Sequence, residues 1–203
     1  MDHIVPNGTT CLKMSYYDLE RMIWMEYTHK RKQTKDQLHM AMIQLIEKER
    51  FEKITVNQLV QTSGITRSTF YRYYEDKYEL LEEIERYVIN ALVAASDLTK
   101  ITPSSLDDSV EQMLNQYQEQ FIILHALLSP NGDTAFENKL EKNVNKIFYD
   151  NNSVKSVEDE MMQLVMTAMW IRILKFWIFN ENRIQIKVIK KLTLNLIQTI
   201  INK

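Results

Sequence analysis

Three times between Thr34 and Glu79 the chain sets a short side-chain oxygen three residues ahead of a Glu or Gln. The three places are Thr34-Lys-Asp-Gln37, Thr55-Val-Asn-Gln58 and Asp76-Lys-Tyr-Glu79. This is capping-box spacing, in which two backbone groups left unbonded at a helix start are satisfied reciprocally. Each of the three opens an apolar helical period, so this stretch has to fold as short helices set close together. The rest of the chain agrees. Three glycines and three prolines among 203 residues leave too few turn formers for strands and hairpins. The predicted fold class is all-α.

The apolar periods place the helices. The first is expected over Lys35–Glu49, with Leu38, Ala41, Met42, Leu45 and Ile46 inward. The second covers about Val56–Thr62, the third Arg67–Tyr73. A fourth starts after Asp76 and carries Leu80, Leu81, Ile84, Tyr87, Val88, Ala91, Leu92 and Ala95 along it. Thr99 to Ser105, with Pro103, breaks the chain. A fifth helix is expected over Leu106–Leu128, a sixth over Thr134–Tyr149, and a seventh, capped by Ser156, up to Phe179. Glu158, Asp159 and Glu160 sit in its first turn, where the helix dipole favours negative charge. Asn180 to Arg183 links it to an eighth helix, Ile184–Ile201, with a seam of Ile186, Ile189, Thr193, Leu196 and Ile200. The organisation read from this pattern is an N-terminal extension (1–31), a small helical domain (32–92) and a larger helical body (93–203). The extension is either disordered or an arm, and Ser15–Tyr27 within it can also form an amphipathic helix.

Residues 64–74 read GITRSTFYRYY. A glycine leads into hydroxyls and an arginine, then into a run of rings that is too dense for a loop and wrongly spaced for a core helix. Two helices joined by a short glycine-containing turn form a helix-turn-helix unit, here about residues 56–75. Gly64 can end the second helix in the left-handed conformation without a Cβ penalty. Leu59, Ile65, Phe70 and Tyr73 fall where the two helices pack. Thr66, Arg67, Ser68, Tyr71 and Arg72 are left on the outer side. Arginine can read guanine bidentately in a major groove, and tyrosine hydroxyls can reach phosphate. Lys77 stands where it could anchor the flanking backbone. The formal charge is −2, but Lys30–Lys77 holds ten Lys/Arg against six Asp/Glu, which suits a basic reader joined to an acidic body.

Residues 34–92 resemble the DNA-binding domain of the TetR family of transcriptional regulators. The resemblance lies in Phe51, Ile54, Thr55, Val56, Leu59, Val60, Gly64, Ile65, Ser68-Thr-Phe-Tyr71, Tyr73-Tyr74, Lys77 and Leu80-Leu81. It departs at Val60 and Ser63, where the family usually has alanines, and at Tyr73, where histidine is frequent. It implies a three-helix helix-turn-helix domain joined to a helical ligand-binding and dimerisation domain. The DNA-contact set it implies, with the outward residues above, is Thr55, Thr66, Arg67, Ser68, Thr69, Tyr71, Arg72, Tyr73 and Lys77. Thr55 and Thr66 can equally be N-caps, and Tyr73 can equally be core. The implied function is regulation of transcription, commonly repression, by a homodimer joined through about residues 157–201 on a near-palindromic DNA operator. A small-molecule effector or a partner protein would control it.

Other features are weaker. His29-Lys30-Arg31-Lys32 and Lys35 form a basic run that can be a phosphate-reaching arm or a solvated charge run. His125, Met162, Met166, Met169, Trp170 and Trp177 are candidates to line an effector pocket in the body, or are core and interface. The four histidines and the single Cys11 lack metal-ligand spacing, so no metal is expected. No Gly-rich phosphate loop, nucleophile elbow or paired ligand set argues for an enzyme, and no cofactor is expected. Met161–Phe179 is apolar, but Arg172 and Lys175 inside it would each cost roughly 2.5–3.5 kcal/mol at the centre of a bilayer. A membrane span is therefore not expected. One cysteine and no secretory signal at the N-terminus suggest a cytoplasmic protein.

Overall fold

The computed structural model describes residues 16–95, 106–148, 156–180 and 184–201, with side chains in the first helix from Thr28 onward. The expected break at Thr99–Ser105 and residues 181–183 of the last link lie outside the described residues. Among the described residues every regular element is helical. They are α1 (Tyr16–Ile46), a 3-10 turn (Phe51–Lys53), α2 (Val56–Ser63), α3 (Arg67–Tyr73), α4 (Lys77–Ala95), α5 (Leu106–Glu119), α6 (Phe121–Leu127), α7 (Phe136–Phe148), α8 (Val157–Ile178) and α9 (Ile186–Ile201).

The capping pattern holds at two of its three sites in altered or complete form and fails at one. Thr55 makes the full box with Gln58. Asp76 Oδ1 accepts from the N–H groups of Tyr78 and Glu79 at 2.8 and 2.9 Å, but the Glu79 carboxylate reaches back to the N–H of Glu75, one residue early. Thr34 is no cap at all. It lies inside α1, and its hydroxyl donates to the Lys30 carbonyl one turn back at 3.0 Å. The reason is upstream: no glycine or proline interrupts Tyr16–Ile46, so the helix runs through the Thr34 pattern. Residues 16–31 of the expected extension are thus helix continuous with α1, and the boundary drawn at 31/32 falls within it. The boundary at 92/93 likewise falls within α4. Ser156 makes a full box with Asp159, as its position suggested.

The first core gathers α1, α2, α3 and the start of α4. Leu38, Met42, Ile46, Leu59, Phe70, Leu80 and Ile84 have no exposed surface. The last ring inside is Tyr74, not Tyr73. α3 ends at Tyr73, and Tyr74 takes an extended backbone (φ −142°, ψ 137°) that turns its side chain inward. Burial raises the Tyr74 hydroxyl well above the ordinary tyrosine value, reinforced by nearby Glu83. Between α1 and α4, Lys35 Nζ donates to both Glu83 oxygens at 2.8 and 2.7 Å. Burial favours the neutral form of Glu83, but Lys35 outweighs it and holds the carboxyl below its usual range.

The body is built on α4. α5 and α7 pack along it, α9 covers α5, and α8 covers α7. The expected fifth helix is two: α5 ends at Glu119, and Gln120 (φ −91°, ψ 8°) turns the chain into α6. No glycine or proline marks this bend. It lets α6 pack on α1, α4, α5 and α8 at once, so tertiary contact sets it. Buried Tyr117 and Trp170 meet edge to face, 5.9 Å between ring centroids. Burial pushes the Tyr117 hydroxyl up to about 12.

Besides the packing of α6 on α1, two polar links among the described residues tie this body to the small domain. The Phe51 N–H donates to the Asn131 carbonyl at 2.8 Å. Lys139 of α7 donates to Glu85 of α4 at 2.6 Å. Glu85 is 2% exposed, its other oxygen Oε1 has no hydrogen-bond partner, and burial raises its pKa despite Lys139. Lys139→Met should cost up to about 3 kcal/mol of stability, since it leaves a buried carboxylate unpaired. Glu85 would then bind a proton more readily folded than unfolded. The loss, read by chemical denaturation, should be small at pH 4 and grow as pH rises through the folded-state pKa. A loss independent of pH would point to packing instead.

Candidate nucleic-acid interface

The outward face of α3 is set by the bend before it. Gly64 lies at φ 72°, ψ 16°, in the left-handed region, and no heavy atom crowds the place a Cβ would take. Glycine is therefore required by the backbone angle and not by space. Thr66 then caps α3: its hydroxyl accepts from the Thr69 N–H at 3.2 Å and lies 3.0 and 2.8 Å from the Ser68 and Thr69 hydroxyls. Three hydroxyls thus cluster at the N-terminus of α3, where backbone donors and the dipole attract an anion.

Arg67 is exposed, and so is Tyr71 at 47%. The Arg67 guanidinium donates to Asn57 Oδ1 at 2.7 Å and to the Tyr71 hydroxyl at 3.2 Å, and stands 5.4 Å from the Tyr71 ring centroid. Among the described residues no carboxylate pairs with it. Neutral groups aim the charge without cancelling it. Sequence reasoning missed Asn57, although it is an exposed residue in the first turn of α2, on the same side as the cap of α3. Arg72 is also exposed, and Tyr73 is half-buried beside α1. The fold therefore brings Thr66, Arg67, Ser68, Thr69, Tyr71 and Arg72 together on one helix. Thr55 stands apart at the start of α2, its hydroxyl committed to Gln58.

Lys77 differs from the expectation. Its ammonium donates to the carbonyls of Phe51, Glu52 and Ile54 at 2.9, 2.7 and 2.8 Å, and lies 4.7 and 5.2 Å from the Phe51 and Tyr78 ring centroids. An ammonium has three N–H donors. All three are used to close the 3-10 turn, which leaves none for phosphate. The reading of Lys77 as a backbone anchor is corrected to a structural clamp. Burial holds its pKa below the ordinary lysine value, against the opposing pull of Glu52, Asp76 and Glu49.

The effector-pocket candidates differ in burial and in position. Trp170 and Trp177 are core, Met166 and Met169 are half-buried, and Met162 is exposed. Met162 and Trp177 are fifteen residues apart on one helix, about 22 Å. His125 sits on α6 between Phe121 and Phe179, with ring centroids 6.1 and 5.0 Å away. The five α8 residues share one side of the helix but run along most of its length, from exposed Met162 to buried Trp177. Among the described residues no group of three His, Cys, Asp or Glu side chains is placed to hold a metal.

Residues 41–84 match the family model described as bacterial regulatory proteins, tetR family. The matched span runs from the second half of α1 through α2 and α3 into α4, and so contains every residue of the α3 face. Residues 41–84 are thus similar to the helix-turn-helix region of that family. The whole fold is similar to that of a TetR transcriptional regulator from Streptococcus agalactiae 2603V (TM-score 0.61, 19% identity, covering 85% of this chain and 97% of that one). It is also similar to the dihydroxyacetone kinase operon activator DhaS (TM-score 0.56, 18% identity, covering 83% and 96%). No curated protein matches the chain.

Two outcomes separate the TetR-type face from its scaffold. Arg67→Ala should weaken binding to the preferred duplex by about 1–3 kcal/mol and relax discrimination at one base position. An equal loss on every duplex would make Arg67 a phosphate contact. Lys77→Met should lower thermal stability while leaving the salt dependence of DNA binding unchanged. A slope shallower by about 0.9 would restore the phosphate role.

Proposed function

We propose that the chain is a homodimeric transcriptional repressor that binds a near-palindromic operator and releases it on binding a small-molecule effector in its helical body. The observation that carries this reading is the exposed Arg67–Tyr71–Asn57 group on a helix whose opposite side, Phe70, is fully buried. Two such helices would enter successive major grooves about 34–36 Å apart. The contact set is Thr66, Arg67, Ser68, Thr69, Tyr71 and Arg72, with Thr55 and Tyr73 at its edges.

Support for a dimer through about residues 157–201 comes from an apolar surface left exposed by the described residues. Met161, Leu164, Val165 and Phe176 on α8, and Val188 and Leu192 on α9, are between 41 and 62% exposed. α8 is long and apolar enough to cross a membrane. However, Trp170, Ile171, Leu174, Trp177 and Ile178 are buried in the body, and Arg172 lies exposed in the opposite surface. A second copy can pair that arginine with a carboxylate or leave it at a wet rim, which the centre of a bilayer cannot, so it covers such a surface at lower cost. The protein is accordingly read as cytoplasmic.

A second reading has its own support. The pocket candidates run from exposed Met162 to buried Trp177 along most of α8, and one structurally similar protein is an activator. A regulator controlled by a partner protein, or one that activates, would use the same α3 face. Either way a controlling ligand must prefer one conformation, and a hundredfold change in operator affinity requires a preference of about 2.7 kcal/mol.

Selection of bound sequences from random duplex DNA, repeated with candidate effectors, tests the reading. A palindromic motif is expected, and absence of any enriched sequence would overturn it. The double variant Val165→Glu, Phe176→Glu should sediment as a folded monomer at concentrations where the unaltered chain is dimeric. If it remains dimeric, the interface lies elsewhere.

A further inference from the structure

We propose that the cleft between the α6–α7 link, α7 and α8 binds a small zwitterion of the free amino-acid class, received by the Lys175–Glu137 pair at its rim. The inference rests on the effector reading above, to which it gives a place and a chemistry. The cleft has a volume of about 250 Å³ and lies toward the end of α8 away from Met162. That is below the range of pockets that take drug-sized molecules, so its occupant is smaller. Leu127, Leu128 and Pro130 line it with apolar surface, and its charged groups are Asp133, Glu137 and Lys175.

The rim decides the chemistry. Lys175 Nζ donates to Glu137 Oε2 at 2.6 Å, and the two side chains are 24% and 44% exposed. A pair this open to water adds little to stability, so separating its partners costs little. Asp133 is engaged elsewhere: Oδ1 accepts from the Ala135 N–H at 3.0 Å, and Oδ2 stands 3.7 Å from Lys139 Nζ. A neutral molecule would leave the Lys175–Glu137 pair closed and gain only the apolar lining. An anion would take Lys175 and strand Glu137 beside Asp133. A cation would take Glu137 and strand Lys175. A molecule with both charges on one carbon satisfies both partners. Its carboxylate accepts from Lys175, its ammonium donates to Glu137, and one charged hydrogen bond becomes two. Leu127, Leu128 and Pro130 then select an apolar side chain.

The link that walls the cleft is also the joint between body and reader. Its Asn131 carbonyl accepts from the Phe51 N–H at 2.8 Å, and Phe51 opens the turn that Lys77 closes. The link has no slack against α6: a Cβ at Gly132 would lie 2.2 Å from the Leu127 carbonyl oxygen. Opening the Lys175–Glu137 pair loosens one tie between α7 and α8, and α7 carries Lys139, the partner of buried Glu85 on α4. Occupation of the cleft therefore bears on both polar links to the small domain.

The test measures the thermal unfolding of the full chain with L-valine, L-leucine, L-isoleucine and L-methionine. At least one should raise the midpoint, by a shift that grows with its concentration. The matching decarboxylated amine and deaminated acid should each bind at least tenfold more weakly. Lys175→Met with Glu137→Gln should abolish the shift, while the ligand-free variant binds duplex DNA as the unaltered chain does. At saturation the amino acid should change operator affinity by about tenfold or more. No shift with any of the four, an equal shift with a one-charge analogue, or a shift that survives in the double variant would overturn the inference. A bound amino acid that leaves operator affinity unchanged would overturn its role as effector. The unfolding measurements need no DNA, so failure of the unaltered chain to bind any duplex would overturn the α3 reading separately.

Discussion

Gly64 carries the chain from α2 into α3 through backbone angles that a residue with a Cβ adopts only under strain. The turn fixes the angle between two short helices, and that angle decides what α3 hides and what it offers. Phe70 goes under, against Leu59 and the first core. Arg67 and Tyr71 come out. Neither helix would persist alone: α2 has eight residues and α3 seven, far below the length at which an isolated helix is stable in water. Their order comes from caps at Thr55 and Thr66 and from the shared core, so a binding surface of a few side chains depends on one bend and two threonines.

The reader is also fixed from behind. Lys77 closes the 3-10 turn through three carbonyls, and Phe51, the first residue of that turn, donates to Asn131 in the body. Glu85 and Lys139 join α4 to α7 across the same divide. α4 therefore belongs to both halves: its first turns hold the reader and its later turns carry α5 and α7. Any displacement of α7 relative to α4 would strain a half-satisfied buried carboxylate. That is a physical route by which a change in the body could reach α3.

Much of this was legible in the sequence because its signals are local. A cap and its partner stand three residues apart, a glycine that ends a helix acts where it stands, and an apolar period shows its own inward face. What escaped reading depends on distance or on context. Thr34 carries a good cap pattern, but whether a helix starts there depends on what precedes it, and nothing upstream breaks the helix. Tyr73 and Tyr74 are neighbours, and which one enters the core depends on the residue at which α3 ends. The lysine at 77 reads as a surface charge until the turn 26 residues earlier folds beneath it. Arg31 and Tyr73 meet across 42 positions, and the bend at Gln120 has no sequence mark. The outward set on α3 was readable because it follows from helix geometry once Gly64 is placed. The pocket set is harder to read, because α8 spreads those residues along its length from an exposed end to a buried one.

The account rests on α3 entering a groove with Arg67 foremost. The most direct measurement is a structure of the chain bound to its selected duplex. It should place α3 in the major groove with the Arg67 guanidinium released from Asn57 and within hydrogen-bond distance of a base edge. A complex in which α3 faces solvent, with Arg67 still held by Asn57 and Tyr71, would contradict the account.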